Sequence, residues 1–213
     1  MLVLQTARYQ RLRMKIDIRD IKFWMDAIRN STDRDRTLES FWGGQLESKS
    51  WLVENLERTN KLTNAKIVIH GGWNGVLASM LFNSDIGISK IVSVDKDPGC
   101  EEIAVTINKR QEMEGRFIAV TKDMCKYEYD EHPDIIINTS CEHITQAQYN
   151  KWLQNIPKGC KIVLQSNDYW ALDEHINCSK DLADFERKSR LNITKSAELE
   201  LPKYKRFMII GSK

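Results

Sequence analysis

The sequence lacks any apolar run approaching the roughly 20 residues that a membrane-crossing helix needs. It also lacks a Cys-x-x-Cys pair. Its five cysteines, Cys100, Cys125, Cys141, Cys160 and Cys178, are odd in number and widely spaced, a pattern that argues against both a disulfide framework and a zinc site. Unpaired thiols suit a reducing compartment, so a cytoplasmic protein without a bound metal is expected. Charge of one sign is not in excess either. The 32 basic and 30 acidic side chains leave a formal charge of +2, which provides no global electrostatic case for nucleic acid. At the N-terminus, Met1–Met14 starts apolar and only then reaches Arg8, Arg11 and Arg13, the reverse of the order in a secretion signal. Internal repeats and low-complexity tracts are absent.

The chain has 213 residues, enough to bury a substantial core in one domain with an elaboration. Residues 1–63 read as helical. Ile18, Ile21, Trp24, Met25 and Ile28 recur at helical spacing, and Asn30-Ser31-Thr32-Asp33 reads as a helix stop followed by a cap. Trp51, Leu52, Leu56 and Leu62 suggest a second amphipathic helix after Gly43-Gly44. This segment is expected to be a helical cap on residues 64–213, or a lid over their site. Arg8–Arg13, Arg34 and Arg36 are expected to be solvated.

From residue 65 short apolar runs alternate with helical stretches. Strands are expected at Ala65–Ile69, Lys90–Val94, Phe117–Val120, Asp134–Ile137 and Lys161–Leu164. Helices between them imply crossover connections and a parallel sheet. Ala197–Leu201 and Tyr204–Ile210, separated by Pro202-Lys203, read instead as an antiparallel hairpin. The expected fold is therefore α/β, Rossmann-like, with a mostly parallel seven-stranded sheet that ends in a C-terminal antiparallel hairpin and carries an N-terminal helical cap. A dinucleotide-binding dehydrogenase would more often end otherwise.

Two features point to a ligand. Gly71, Gly72 and Gly75 lie between the first strand and a helix, where glycine permits a tight turn and close approach of backbone to a bound group. About 20 residues on, Asp95 ends the second strand, where a carboxylate can accept both hydroxyls of a ribose. Asp97, before Pro98-Gly99, suits a helix cap.

In these segments the sequence resembles the class I S-adenosylmethionine (SAM)-dependent methyltransferases, over about residues 60–213. The resemblance rests on Ile67-Val68-Ile69-His70-Gly71-Gly72-Trp73-Asn74-Gly75, Val92-Ser93-Val94-Asp95, Lys122-Asp123-Met124, Asp134-Ile135-Ile136-Ile137-Asn138 and the closing hairpin. It implies SAM as cofactor, with His70 to Gly75 around its amino-acid part, Asp95 with neighbouring Lys96 at the ribose, Asp123 and Met124 at the adenine, and Asn138 facing the methyl donor. The sequence departs from the family in carrying His70 where an acid is frequent, and Gly-Gly-Trp-Asn-Gly where Gly-x-Gly-x-Gly is common. Trp73 is either a cover for SAM or a packing anchor.

Asn138-Thr139-Ser140-Cys141-Glu142-His143 concentrates reactive side chains after the fourth strand. Glu142 or His143 is a candidate base, with loop capping as the alternative. Cys141 lacks the preceding proline of the cytosine-5 enzymes, and Asn138-Thr139-Ser140-Cys141 lacks the Pro-Pro-aromatic sequence of the base-amine enzymes. Ser166-Asn167-Asp168-Tyr169-Trp170 flanks the expected cleft. Methyl transfer to an acceptor, more readily a small molecule, is the leading expectation. A noncatalytic SAM-binding module, a nucleic-acid methyltransferase and a nicotinamide dehydrogenase are the alternatives.

Overall fold

The computed structural model describes residues 15–59 and 62–213; the Arg8–Arg13 run lies outside them. Helices α1 (Ile18–Asn30), α2 (Arg34–Glu39) and α3 (Gly43–Thr59) come first. Strand β1 (Ala65–His70), helix α4 (Val76–Phe82), strand β2 (Ile88–Asp95), helices α5 (Glu101–Ile107) and α6 (Lys109–Met113) and strand β3 (Phe117–Thr121) follow. Then come β4 (Ile135–Asn138), α7 (Gln146–Asn155), β5 (Lys161–Asn167), α8 (Leu182–Ser189), β6 (Asn192–Glu200) and β7 (Lys205–Ser212).

The seven strands form one sheet in the order β3-β2-β1-β4-β5-β7-β6. β1 to β5 pair in parallel, and β7 is antiparallel to both β5 and β6. The apolar runs place alternate residues on opposite faces. Ile67, Ile69, Ile91, Ile135 and Ile137 pack beneath Leu52, Leu56, Leu77 and Ile107 on one face. Val68, Val94, Ile136, Ile162 and Leu164 pack against Tyr149, Trp152 and Phe185 on the other. Both faces are covered, so the central strands are apolar almost throughout. The order reverses between β1 and β4, and such a switch point opens a crevice at the carboxyl ends of the strands.

The expected stop at Asn30 is the last residue of α1, and the Asp33 side chain caps α2 by accepting from the Arg36 amide. The orientation of α1 differs from its apolar pattern. Ile18, Ile21 and Met25 are exposed, whereas Asp20 is buried. Arg110 explains this: its Nε and Nη2 donate to the two Asp20 oxygens at 2.9 and 2.8 Å, and Asn83 Nδ2 donates at 2.9 Å. A fully bonded carboxylate offsets its desolvation and turns that face inward.

Two strands are longer than their apolar runs. β5 continues through Gln165, Ser166 and Asn167, because β7 supplies Met208, Phe207 and Arg206 as ladder partners. β6 starts at Asn192, whose polar side chains suit an exposed edge.

Candidate functional site

The loop after β1 is tightly constrained. Gly71 has φ +65°, and a Cβ there would lie 2.3 Å from Ser140 Oγ. Gly75 has φ +73°, and a Cβ would come within 3.1 Å of the Ala104 backbone. Between them Trp73 takes φ +46°, a region costly for a bulky side chain. The Trp73 amide donates to Asp95 Oδ2 at 2.8 Å, and the Asp97 amide donates to Asp95 Oδ1 at 3.0 Å. Asp95 thus holds the loop in shape, while each of its oxygens keeps a lone pair for a further donor. A shallow cleft opens here, lined by Trp73, Asp95, Glu101 and Thr121 among others. Asp97 does cap the short turn Pro98–Cys100.

The residues carried over from the resemblance do not all face this cleft. His70 is fully buried. Its Nε2 pairs with the Tyr129 hydroxyl at 2.9 Å, and Tyr127 and Trp152 edge its ring. Burial lowers its pKa from 6.5 to about 3, so it is a neutral core imidazole whose side chain is withdrawn from any ligand. Lys96 is exposed, as is Asp123, which accepts from the Cys125 amide at 2.9 Å to cap the turn Met124–Lys126. Asn138 is buried, its Oδ1 accepting from the Ser140 amide and its Nδ2 donating to Met124 Sδ. It braces the loop after β4.

Glu142 lies in the single turn Cys141–His143 and is buried. Arg206 Nη1 forms an ion pair with its Oε1, and Asn167 Nδ2 donates to the same atom at 2.8 Å. Arg206 Nη2 also donates to the Thr139 carbonyl at 2.6 Å. Glu142 Oε1 is thus committed to Arg206 and Asn167, which ties this turn to β7 and β5. His143 stays partly open, and burial lowers its pKa from the usual value. Cys141 is buried and its thiol is pushed well up by that burial, which removes the nucleophilic form.

Asn167, from the segment expected to flank the cleft, completes the site together with three residues that the motifs did not single out: Lys49, His175 and Arg206. Lys49 lies on α3, 8% exposed, with Nζ 5.9 Å from the centre of the Trp73 ring. Nζ donates to Gln45 Oε1 at 2.6 Å. Burial, helped by repulsion from Arg206, lowers its pKa from 10.5 to about 7. α3 is fixed over the strand ends by reciprocal bonds between Ser48 and Gln165. Lys49 was visible in one respect: it shares a helical face with Leu52, Val53 and Leu56, which places its stem on the buried side of α3. Arg206 sits at the start of an apolar strand, and only the β5–β7 pairing brings it beside Glu142.

No protein-family model matches the sequence, and no curated protein matches it. Solved structures do share its fold. Mitomycin 7-O-methyltransferase MmcR aligns with a TM-score of 0.63 and 12% identity, over 89% of this chain and 60% of that one. Magnesium protoporphyrin IX methyltransferase ChlM from Synechocystis PCC 6803, with bound SAM, aligns at 0.61 and 12% identity over 91% and 90%. N-methyltransferase NodS from Bradyrhizobium japonicum WM9, with S-adenosyl-l-homocysteine, aligns at 0.63 and 10% identity over 90% and 99%. The chain therefore spans somewhat less than two thirds of MmcR's length but nearly all of NodS. Its fold is that of the class I SAM-dependent methyltransferases.

Proposed function

We propose that this chain is a methyltransferase that uses SAM and acts on a small-molecule acceptor. One observation carries the reading: the loop at the switch point holds an unsatisfied polar group. Asn74 is 1% exposed, and among the described residues neither its Oδ1 nor its Nδ2 has a hydrogen-bond partner. Buried amides are nearly always paired, so a polar ligand that completes these bonds fits the loop. Asp95, with lone pairs to spare, fits the hydroxyls of a ribose.

When bound, SAM would supply an activated methyl group, taken by a lone pair of the acceptor as the sulfur leaves as a neutral thioether. The chain has to hold and align the partners, which is a large part of such catalysis. Gly71 to Gly75 and Asp95 grip the cofactor, Trp73 covers it, and Asp123 and Met124 border its adenine. The loop from Asn138 to His143 shapes the acceptor side. Lys49 Nζ, a neutral amine for much of the time at neutral pH, takes the proton that the acceptor oxygen or nitrogen loses. That the structural neighbours MmcR and ChlM are named for small-molecule acceptors supports the substrate class.

The test is calorimetric titration with SAM followed by incubation with methyl-labelled SAM and fractionated extract. Micromolar binding and label in a small-molecule fraction are expected. Binding without transfer to any fraction would select a noncatalytic module, label in RNA or DNA would overturn the substrate class, and absence of binding would overturn the reading altogether.

A further inference from the structure

Glu142, His143 and His175 each offer one ligand atom, and these atoms lie within 4.8 Å of one another. We propose that they form a binding site for a divalent first-row transition ion, with two imidazoles and one carboxylate on one side and open positions facing solvent. No bound metal is expected from the sequence; the proposal departs from that expectation, on a cluster of nitrogen and oxygen ligands.

Three features support the site. Arg206 and Asn167 both engage Glu142 Oε1, while Oε2 is buried and has no partner among the described residues. An unmet carboxylate oxygen in the interior carries a desolvation cost, and an ion bound there would remove it. His175 Nδ1 donates to the Tyr169 carbonyl at 2.5 Å, which leaves Nε2 with the lone pair. A ring nitrogen held on a backbone carbonyl is the usual support of a metal-bound histidine. His143 keeps its ring free of hydrogen bonds among the described residues, with its centre 4.8 Å from that of His175. Ligands about 2.1 Å from a common ion stand roughly 3–4 Å apart, so side-chain rotation of an ångström or so closes the cluster.

The loop bearing His175 is held in place. Residues 168–181 lie between β5 and α8 without a helix or strand of their own. The Asn177 amide donates to the Glu142 carbonyl at 3.0 Å, the Ser179 amide to the Asn167 carbonyl at 2.9 Å, and Cys178 Sγ to Asn167 Oδ1 at 3.1 Å. These bonds fix the loop on both sides of the Glu142 carboxylate. Two imidazoles with a carboxylate suit manganese, iron, cobalt or zinc better than magnesium or calcium, which prefer all-oxygen sites.

The site stands whether or not the chain transfers methyl groups, and its test is separate. Protein dialysed against a chelator is titrated with Mn²⁺, and the free ion is read by electron paramagnetic resonance. One ion per chain is expected, with affinity weakened at least tenfold by His175→Ala and by His143→Ala. Mn²⁺ should also raise the melting temperature of the wild-type protein but of neither variant. His132→Ala, which removes a histidine bonded to the Lys158 carbonyl, should bind as the wild type does. Melting without metal shows whether each variant is folded. Mn²⁺ that stays free at millimolar protein, or equal binding by folded His175→Ala and His143→Ala, would overturn the proposal.

Discussion

Replacing Lys49 with methionine should stabilise the protein at low pH and leave its stability nearly unchanged at high pH. The ammonium is buried beside Arg206, and its pKa falls from 10.5 to about 7. At about 1.4 kcal/mol per unit, a fall of about 3.5 units corresponds to roughly 5 kcal/mol against folding. The sign follows from proton counts. Below pH 7 both folded and unfolded states carry the proton, so the full penalty applies. Between pH 7 and 10.5 the folded amine is neutral while the unfolded one is charged. The unfolded state then binds more protons, so wild-type stability rises with pH. Above 10.5 both are neutral and the penalty is gone. Methionine fills much of the same space with nothing to titrate.

The measurable quantity is the difference in unfolding free energy between Lys49→Met and wild type, from urea denaturation at pH 6 and pH 9. It should shrink by about 2–3 kcal/mol between those values. A difference that is the same at both pH values would refute the idea that Lys49 is buried as a destabilised base. In activity measurements, the wild-type rate at saturating cofactor should rise through about pH 7, and Lys49→Met should lose both the rise and most of the rate. Retained turnover in a folded Lys49→Met protein would remove Lys49 from the proton transfer.

Asp95→Ala should weaken SAM binding by about tenfold to a hundredfold, because a charged hydrogen-bond acceptor contributes roughly 1.5–3 kcal/mol; unchanged affinity in calorimetry contradicts the ribose assignment. Gly71→Ala should cost roughly 1–3 kcal/mol, given φ +65° and a Cβ 2.3 Å from Ser140 Oγ, and a melting temperature within a degree of wild type would show that the loop shifts freely. Arg206→Met should destabilise by roughly 3–5 kcal/mol by leaving Glu142 buried and unpaired, with part of the loss recovered in Glu142→Gln/Arg206→Met; additive single and double variants would mean that the pair is uncoupled. Cys141→Ala should retain turnover, since the buried thiol is not ionised, and total loss in a folded variant would restore a covalent role.

The central sheet was legible because strands covered on both faces have to be apolar along their length. Ile67 to Ile69 and Ile135 to Ile137 could belong to little else, and their helices required crossovers. The hairpin was legible from Pro202-Lys203 between two strand-like runs. The facing of the first helix was not legible, because apolar spacing shows where apolar residues lie and not which polar residue has a partner. Asp20 is buried through Arg110, 90 residues away, with Asn83 as a second donor. That pairing reverses the face that Ile18, Ile21 and Met25 alone would choose.

The site divides along the same line. The half proposed to face the cofactor is contiguous in sequence: five residues make the turn at Gly71 to Gly75, and positive φ at Gly71 and Gly75 restricts the residue types that fit. Such a half leaves a mark that can be read in one pass. The half proposed to face the acceptor is assembled from Lys49, Glu142, Asn167, His175 and Arg206, each supplied by a different element or loop. Asn167 and Arg206 face one another because β5 and β7 pair through their polar ends. A strand that turns from apolar to polar while still buried is costly unless its polar groups meet partners across the sheet. Asn167 and Arg206 meet theirs on a single carboxylate oxygen of Glu142. The second oxygen is left over, on the carboxylate that shares a cluster with the two histidines.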